Sequence, residues 1–178
     1  MESDGRRCRL LRFGALRALS GRKSPEYFPN RLREIHNLLA ALIEEFRPHS
    51  MAVESVFTAL NMKTAIRLAE VRGVVLLAAA QGGVPVCSYS PREVKSSVAG
   101  YGNADKSQVQ MMVRALLGMS ETPEPPDAAD ALAVALCHVQ AEQFRSRLNP
   151  PAGVPATIPL GTTRFRASRS RGAAQRIL

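Results

Sequence analysis

Three carboxylates stand where carboxylates are costly. Glu54 interrupts the apolar run "MAVESVF", residues 51–57. Asp127 and Asp130 stand three apart at the head of "PPDAADALAVALCH", residues 125–138. The aspartates have a simple structural explanation. Pro125 and Pro126 stop the preceding segment, Asp127 makes a good helix N-cap, and Asp130 falls at N3 in a capping-box-like arrangement that the helix dipole favours. Glu54 is harder to explain that way. Strand alternation places it on one face with Ala52 and Val56, and a carboxylate there is rare unless the face is solvated, a lysine or arginine answers it, or it binds a metal. One carboxylate on a strand and two on a helix would suit a hard cation. Mg²⁺ prefers oxygen ligands and keeps several waters. Two such ions about 3.5–4 Å apart clamp a phosphodiester, and bound cations relieve the mutual repulsion of clustered acids. Whether the three meet in space is left to the fold by spacing alone.

The elements that must position them read as alternating strands and helices. Part of 6–19, "RRCRLLRFGALRAL", is expected to be a strand, and 20–30 is loop chemistry. Apolar positions at 32, 35, 39, 42, 43 and 46 have helical spacing, and Arg47-Pro48 ends that helix. Residues 50–57 read as a buried strand. Residues 62–83 begin as an amphipathic helix and finish apolar on every side, an end that needs cover from a sheet, a helix or a second subunit, before Gly82-Gly83 stops it. A strand over 84–90 comes next, then a helical or irregular stretch from Pro91, a helix over 106–119, a Pro-rich acidic loop and the last helix. The alternation predicts an α/β fold with a mainly parallel sheet. From about residue 149 the composition changes to Gly, Pro, Ser and five arginines without an acid, so 149–178 is expected to be a disordered basic tail, against the alternative of a solvated end with no specific role.

Bulk composition narrows the function classes. With 178 residues and 46% apolar content the chain can build one ordinary core. Its net charge of +9 favours a polyanionic partner, nucleic acid or an acidic membrane surface. Cys8, Cys87 and Cys137 form no CxxC pair, which speaks against a zinc knuckle or disulfide framework and for a reducing cytoplasm. The longest apolar run, Val74–Ala80, is too short to cross a bilayer, and the basic start has no apolar core of a signal peptide. No glycine-rich phosphate loop suggests an organic cofactor. His138, read as partly buried about two turns beyond Asp130, lies too far along its helix to share a metal with the aspartates.

Four blocks in order, "AVESVF", "ALNMKTAIRLAEVRGVV", "PREVKSSVAGYGNADKSQVQMMVRALL" and "DAADALAVALCH", resemble the RuvC family of Holliday junction resolvases over residues 4–148. The resemblance implies an RNase H-like mixed sheet flanked by helices, over 1–148, and a homodimer that nicks two like strands of four-way junction DNA with Mg²⁺, two ions per subunit. It also implies the RuvA and RuvB branch-migration proteins as partners. Matched residue by residue, Glu54, Asp127 and Asp130 are the catalytic metal ligands, Lys95 and Lys106 line the DNA cleft, and Phe57 is the aromatic that touches bases at the junction centre. The second half of 62–83 resembles the family's dimer helix.

One departure matters. The family opens with a strand carrying an aspartate in a D-x-G pattern, itself a metal ligand, and then a hairpin. "MESDGRRCRLL" resembles the segment beyond that hairpin, and Asp4, in a turn-like "SDG", is no substitute. Met1 is expected to be an internal valine whose GTG codon serves as a start; an in-frame stop upstream before any D-x-G segment would count against that. Without the first strand, its neighbour is expected to carry unpaired backbone groups. The competing readings are a catalytically inactive junction-binding module of the same fold and, on charge alone, a basic RNA-binding protein.

Overall fold

The computed structural model describes residues 1–4, 7–18, 27–55, 61–148 and 175–178. In chain order these form β1 (Glu2–Ser3), β2 (Cys8–Arg9), α1 (Phe28–Phe46), β3 (Met51–Glu54), α2 (Met62–Gln81), β4 (Val86–Tyr89), α3 (Pro91–Ala99), α4 (Lys106–Leu116), α5 (Pro126–Leu148) and β5 (Gln175–Arg176). The pairing is mixed. β3 and β4 run parallel, with Met51 opposite Val86 and Glu54 opposite Tyr89. β1 pairs antiparallel with β2 on one side and with β5 on the other. A parallel bridge between Ser50 and Ile177 joins the two groups, so the strands take the order β2-β1-β5-β3-β4.

Period-two alternation divides β3 between two layers. Met51 and Val53 face α1 and α2, in a cluster with Ile43, Ala78, Ala79 and Val84. Ala52 faces the other way, toward a core built on α5. α5 packs on β3 and β4 with one side and on α3 and α4 with the other. That double covering explains why every residue from Leu132 to Val139 is buried, His138 included. Glu54, two residues beyond Ala52, is therefore on the α5 side, as the alternation requires.

Local chemistry accounts for the helix ends. α1 begins at Phe28 with Pro29 in its first turn, earlier than its apolar spacing suggests, and ends as Arg47 turns left-handed at φ 43°. Its Arg67 partner on α2 lies over the Phe28 ring at 3.9 Å. α2 runs to Gln81, and Gly82 comes next, where a Cβ would lie 2.6 Å from the Ile43 methyl of α1. α3 and α4 each open with a capping box, Ser90 with Glu93 and Asp105 with Gln108.

Two expectations are corrected. The basic segment beyond residue 149 is not tail throughout. Residues 149–174 lie outside the described residues, but 175–178 form a strand and a bridge inside the sheet. Nor is the neighbour of the expected first strand left with open hydrogen bonds, because β5 lies between β1 and β3. The start itself behaves as a turn: Asp4 accepts the Arg7 amide at 2.7 Å between β1 and β2.

Candidate active site at the acidic cleft

The end of β3 and the start of α5 meet at one cleft. Glu54 closes β3, and the ladder continues one bond further as Ser55 N–H donates to the Tyr89 carbonyl at 2.8 Å. α5 starts at Pro126, with the Ala128 amide donating to the Pro125 carbonyl at 2.8 Å. Asp127 is thus inside the first turn and Asp130 almost one turn further on. This corrects the capping explanation of the two aspartates, since Asp127 lies past the cap position and Asp130 past N3. Both line one hollow with Glu54, Ala52 and Leu178.

A second hollow adjoins the first and shares Glu54 and Asp130, with Lys95 and Lys106 on its far wall. Lys106 Nζ donates to Asp130 Oδ2 at 2.8 Å. A lysine as the first residue of a helix opposes the helix dipole, so its presence at the head of α4 calls for a local reason. Asp130 supplies one, and the hydrogen bond to it raises the Lys106 pKa, with Asp127 and Glu54 adding to the same field. The Glu54 carboxyl is also shifted upward. Burial is the main cause and the Asp130 charge the second, while Lys106 and Lys95 pull the other way.

The sequence-selected Glu54, Asp127, Asp130, Lys95 and Lys106 therefore surround one cleft, whereas Phe57 lies outside the described residues. What the motif reading passed over is the pair of capping boxes that aim the lysines. Ser90 Oγ accepts the Glu93 amide at 3.2 Å while Glu93 accepts the Ser90 amide at 2.7 Å. Asp105 Oδ1 accepts the Gln108 amide at 2.8 Å while Gln108 accepts the Asp105 amide at 2.9 Å. The S-x-x-E and D-x-x-Q signals for both stand plainly in the sequence.

The donor set suits a hard divalent cation: carboxylate oxygens from Glu54, Asp127 and Asp130, with no thiol or imidazole among the described residues lining the cleft. Among the described residues, the group of three whose ligand atoms all fall within 4.8 Å is a different one, Cys87, His138 and Glu142. Its chemistry is committed elsewhere. His138 is 1% exposed, more deeply buried than the sequence suggested. Its Nδ1 bonds the Tyr89 hydroxyl at 2.7 Å and its Nε2 the Ser50 hydroxyl at 2.8 Å. Glu142 is itself paired with the Arg145 guanidinium. This cluster works as a polar bolt between β3, β4 and α5.

A mixed sheet flanked by helices, with carboxylates gathered where a parallel strand pair meets the head of a core helix, defines an RNase H-like α/β domain. The family model described as crossover junction endodeoxyribonuclease RuvC matches residues 1–138. A relative of that name from Desulfitobacterium hafniense is 52% identical over 120 residues, 67% of this chain and 73% of its own length. Another from Chloroflexus aggregans is 49% identical over 138 residues, 78% and 82% of the two chains. Among solved structures, Thermus thermophilus RuvC in complex with Holliday junction substrate superposes with a TM-score of 0.70 at 36% identity, covering 79% of this chain and 82% of the other. The chain belongs to the RuvC family of crossover junction endodeoxyribonucleases.

Proposed function

We propose that this protein is a structure-selective endonuclease that resolves Holliday junctions by symmetric, Mg²⁺-dependent nicking of two strands during DNA recombination and repair. The observation that carries the reading is the cleft itself: in a chain of this family, Glu54, Asp127 and Asp130 share it with Lys95 and Lys106. Glu54, Asp127 and Asp130 would hold the cation, which when bound supplies Lewis-acid activation of water and neutralises charge on the scissile phosphate. The protein's own groups do the rest. The three carboxylates make the cleft a seat for a cation rather than for bare DNA phosphate. Lys106 now answers Asp130. Its ammonium and that of Lys95 would offset the charge that builds on the phosphate oxygens during in-line attack. Phe57 would stack on a base at the junction centre, a contact that tolerates any sequence.

Symmetric nicking needs two clefts, and the reading therefore includes a homodimer. In its support, α2 leaves Ile66 and Leu77 more than half exposed on a helix whose other side packs on α1. RuvA and RuvB are the proposed branch-migration partners, and the cytoplasm, where the DNA is, the proposed compartment. No helix among the described residues is long and apolar enough to cross a membrane.

Nicking of a synthetic four-way junction in Mg²⁺, with linear duplex as control, tests the proposal. The expected result is paired nicks in the junction only, and a loss of about two orders of magnitude or more in Glu54→Gln with junction binding retained. Junction binding by the wild-type chain without any cleavage in Mg²⁺ or Mn²⁺ would replace this reading with an inactive junction-holding module.

A further inference from the structure

The loop 100–105 joins the two helices that carry Lys95 and Lys106, and it is held along its length. Gly100 ends α3 at φ 86°, and its amide donates to the Ser96 carbonyl at 3.0 Å. Gly102 lies so close to α3 that a Cβ there would meet the Arg92 Cγ at 2.6 Å and the Ser96 Oγ at 3.1 Å. The Ala104 amide donates to the Tyr101 carbonyl at 3.3 Å, and Ala104 itself is fully buried in the α5 core. Tyr101 stands between the two glycines and is 48% exposed. With much of the ring in water, its polar end is what it engages.

The phenol donates to Gln108 Oε1 at 2.5 Å. The same oxygen accepts the Asp105 amide at 2.9 Å, one half of the capping box that opens α4. Asp105 Oδ1 supplies the other half to the Gln108 amide and also accepts the Ser107 hydroxyl at 2.7 Å. Tyr101 thus fixes the member of the box with most freedom to leave it. Gln108 is exposed, and folding its side chain back over the helix start costs rotamer entropy. Being uncharged, it also draws less from the helix dipole than Glu93, which holds the matching place in α3. A second hydrogen bond on Oε1 offsets both deficits.

Lys106 is the first residue of α4, directly after the Asp105 cap. Its ammonium reaches Asp130 at 2.8 Å on a flexible four-carbon stem, so its aim depends on a backbone base that does not fray. We propose that Tyr101 is a positioning residue for the cleavage chemistry: through Gln108 it holds the first turn of α4, and with that turn the ammonium of Lys106 at the acidic cleft. Tyr101 touches no substrate in this role. The effect on nicking rests on the endonuclease reading; the brace itself does not.

Tyr101→Phe removes the hydroxyl and keeps the ring, and three measurements on the full chain read the change. Exchange of the Asp105 amide should accelerate about threefold or more, while the Gly100 amide, bonded to Ser96, keeps its wild-type rate. The titration midpoint of the Lys106 ammonium, followed at its Cε resonance, should drop toward the ordinary 10.5, because a poorly aimed Lys106 loses part of its bond to Asp130. Nicking of saturating four-way junction in Mg²⁺ should slow about three- to tenfold, with junction affinity measured in Ca²⁺ unchanged. Gln108→Glu in the same background should return nicking to within about twofold of wild type, since a charged side chain at that place closes the box without the phenol. Unaltered Asp105 exchange and Lys106 midpoint, nicking at the wild-type rate, or a loss that Gln108→Glu fails to restore would each overturn the assignment. A wild type that binds junction without cutting it would end the endonuclease reading alone, and exchange and titration would still decide whether Tyr101 holds Lys106.

Discussion

Glu54 keeps its proton to higher pH than an ordinary glutamate, because burial and the neighbouring Asp130 both disfavour its anion. Cation binding needs that anion. Mg²⁺ affinity, measured by calorimetry, is therefore expected to fall already at pH values above the usual 4.5 of a glutamate as the solution is acidified. Lys106→Met removes a charge that favours the Glu54 anion, so the Glu54 carboxyl resonance should titrate at still higher pH; an unchanged or lower midpoint would separate the two groups. The Lys106–Asp130 pair has side-chain exposures of 56% and 44%, so this variant should melt close to wild type, and its effect should appear in nicking instead. His138 gives a different pH dependence. Burial lowers its pKa below 6.5, so the unfolded chain takes up a proton that the folded one refuses. The stability contributed by neutral His138 is complete above 6.5 and is lost as pH falls from 6.5 through the lower folded value. Denaturation at stepped pH should show this slope, and His138→Gln, which keeps a donor and an acceptor, should flatten it.

At the scale of elements, helix starts aim the cleft's cations. The hydroxyl of Ser90 caps α3 five residues before Lys95. Ser90→Ala is expected to cost about 1 kcal/mol in urea unfolding and to lower nicking through loss of aim, with the metal affinity of the carboxylates unaltered. The packing of α1 on α2 makes a harder demand. A Cβ at Gly82 would lie 2.6 Å from the Ile43 Cγ2 methyl, on a stiff β-branched side chain that is only 6% exposed. Neither partner yields easily, so Gly82→Ala should destabilise by about 1–3 kcal/mol, read as a shift of the urea midpoint. Ile43→Leu in the same background, which keeps the bulk but lacks the Cγ2 methyl, would relieve part of that loss if the clash is the cause.

For the whole molecule, the charge of +9 sets how it meets DNA. Each phosphate neutralised by a lysine or arginine releases counterions, so log affinity is expected to fall linearly with log salt, by about 0.9 per phosphate contact on duplex arms. That term carries little shape preference. Selectivity for the four-way junction over linear duplex, measured by fluorescence anisotropy across a salt series, should therefore persist as both affinities drop. Equal affinities at every salt concentration would leave only phosphate binding and remove the junction-specific part of the reading.

Much of the site was legible in the residues themselves. Apolar alternation put Glu54 on the face of Ala52, and the structure has α5 over that face. Helical spacing marked α1, α2 and α4, because a buried stripe leaves a periodic trace in the sequence. α5 left a weaker trace, since sheet and helices cover it on opposite sides and apolar residues then fall all round. Caps were misjudged at Asp127, where proline chemistry carried the helix start two residues earlier. Local patterns say which residues an element will bury, and those were decided by the sequence alone. They cannot say which distant strand fills a gap. The seating of Arg176–Leu178 between β1 and β3 depends on hydrogen-bond groups presented by segments more than a hundred residues away, and on a pocket for Ile177 that exists only once the sheet and α5 have met.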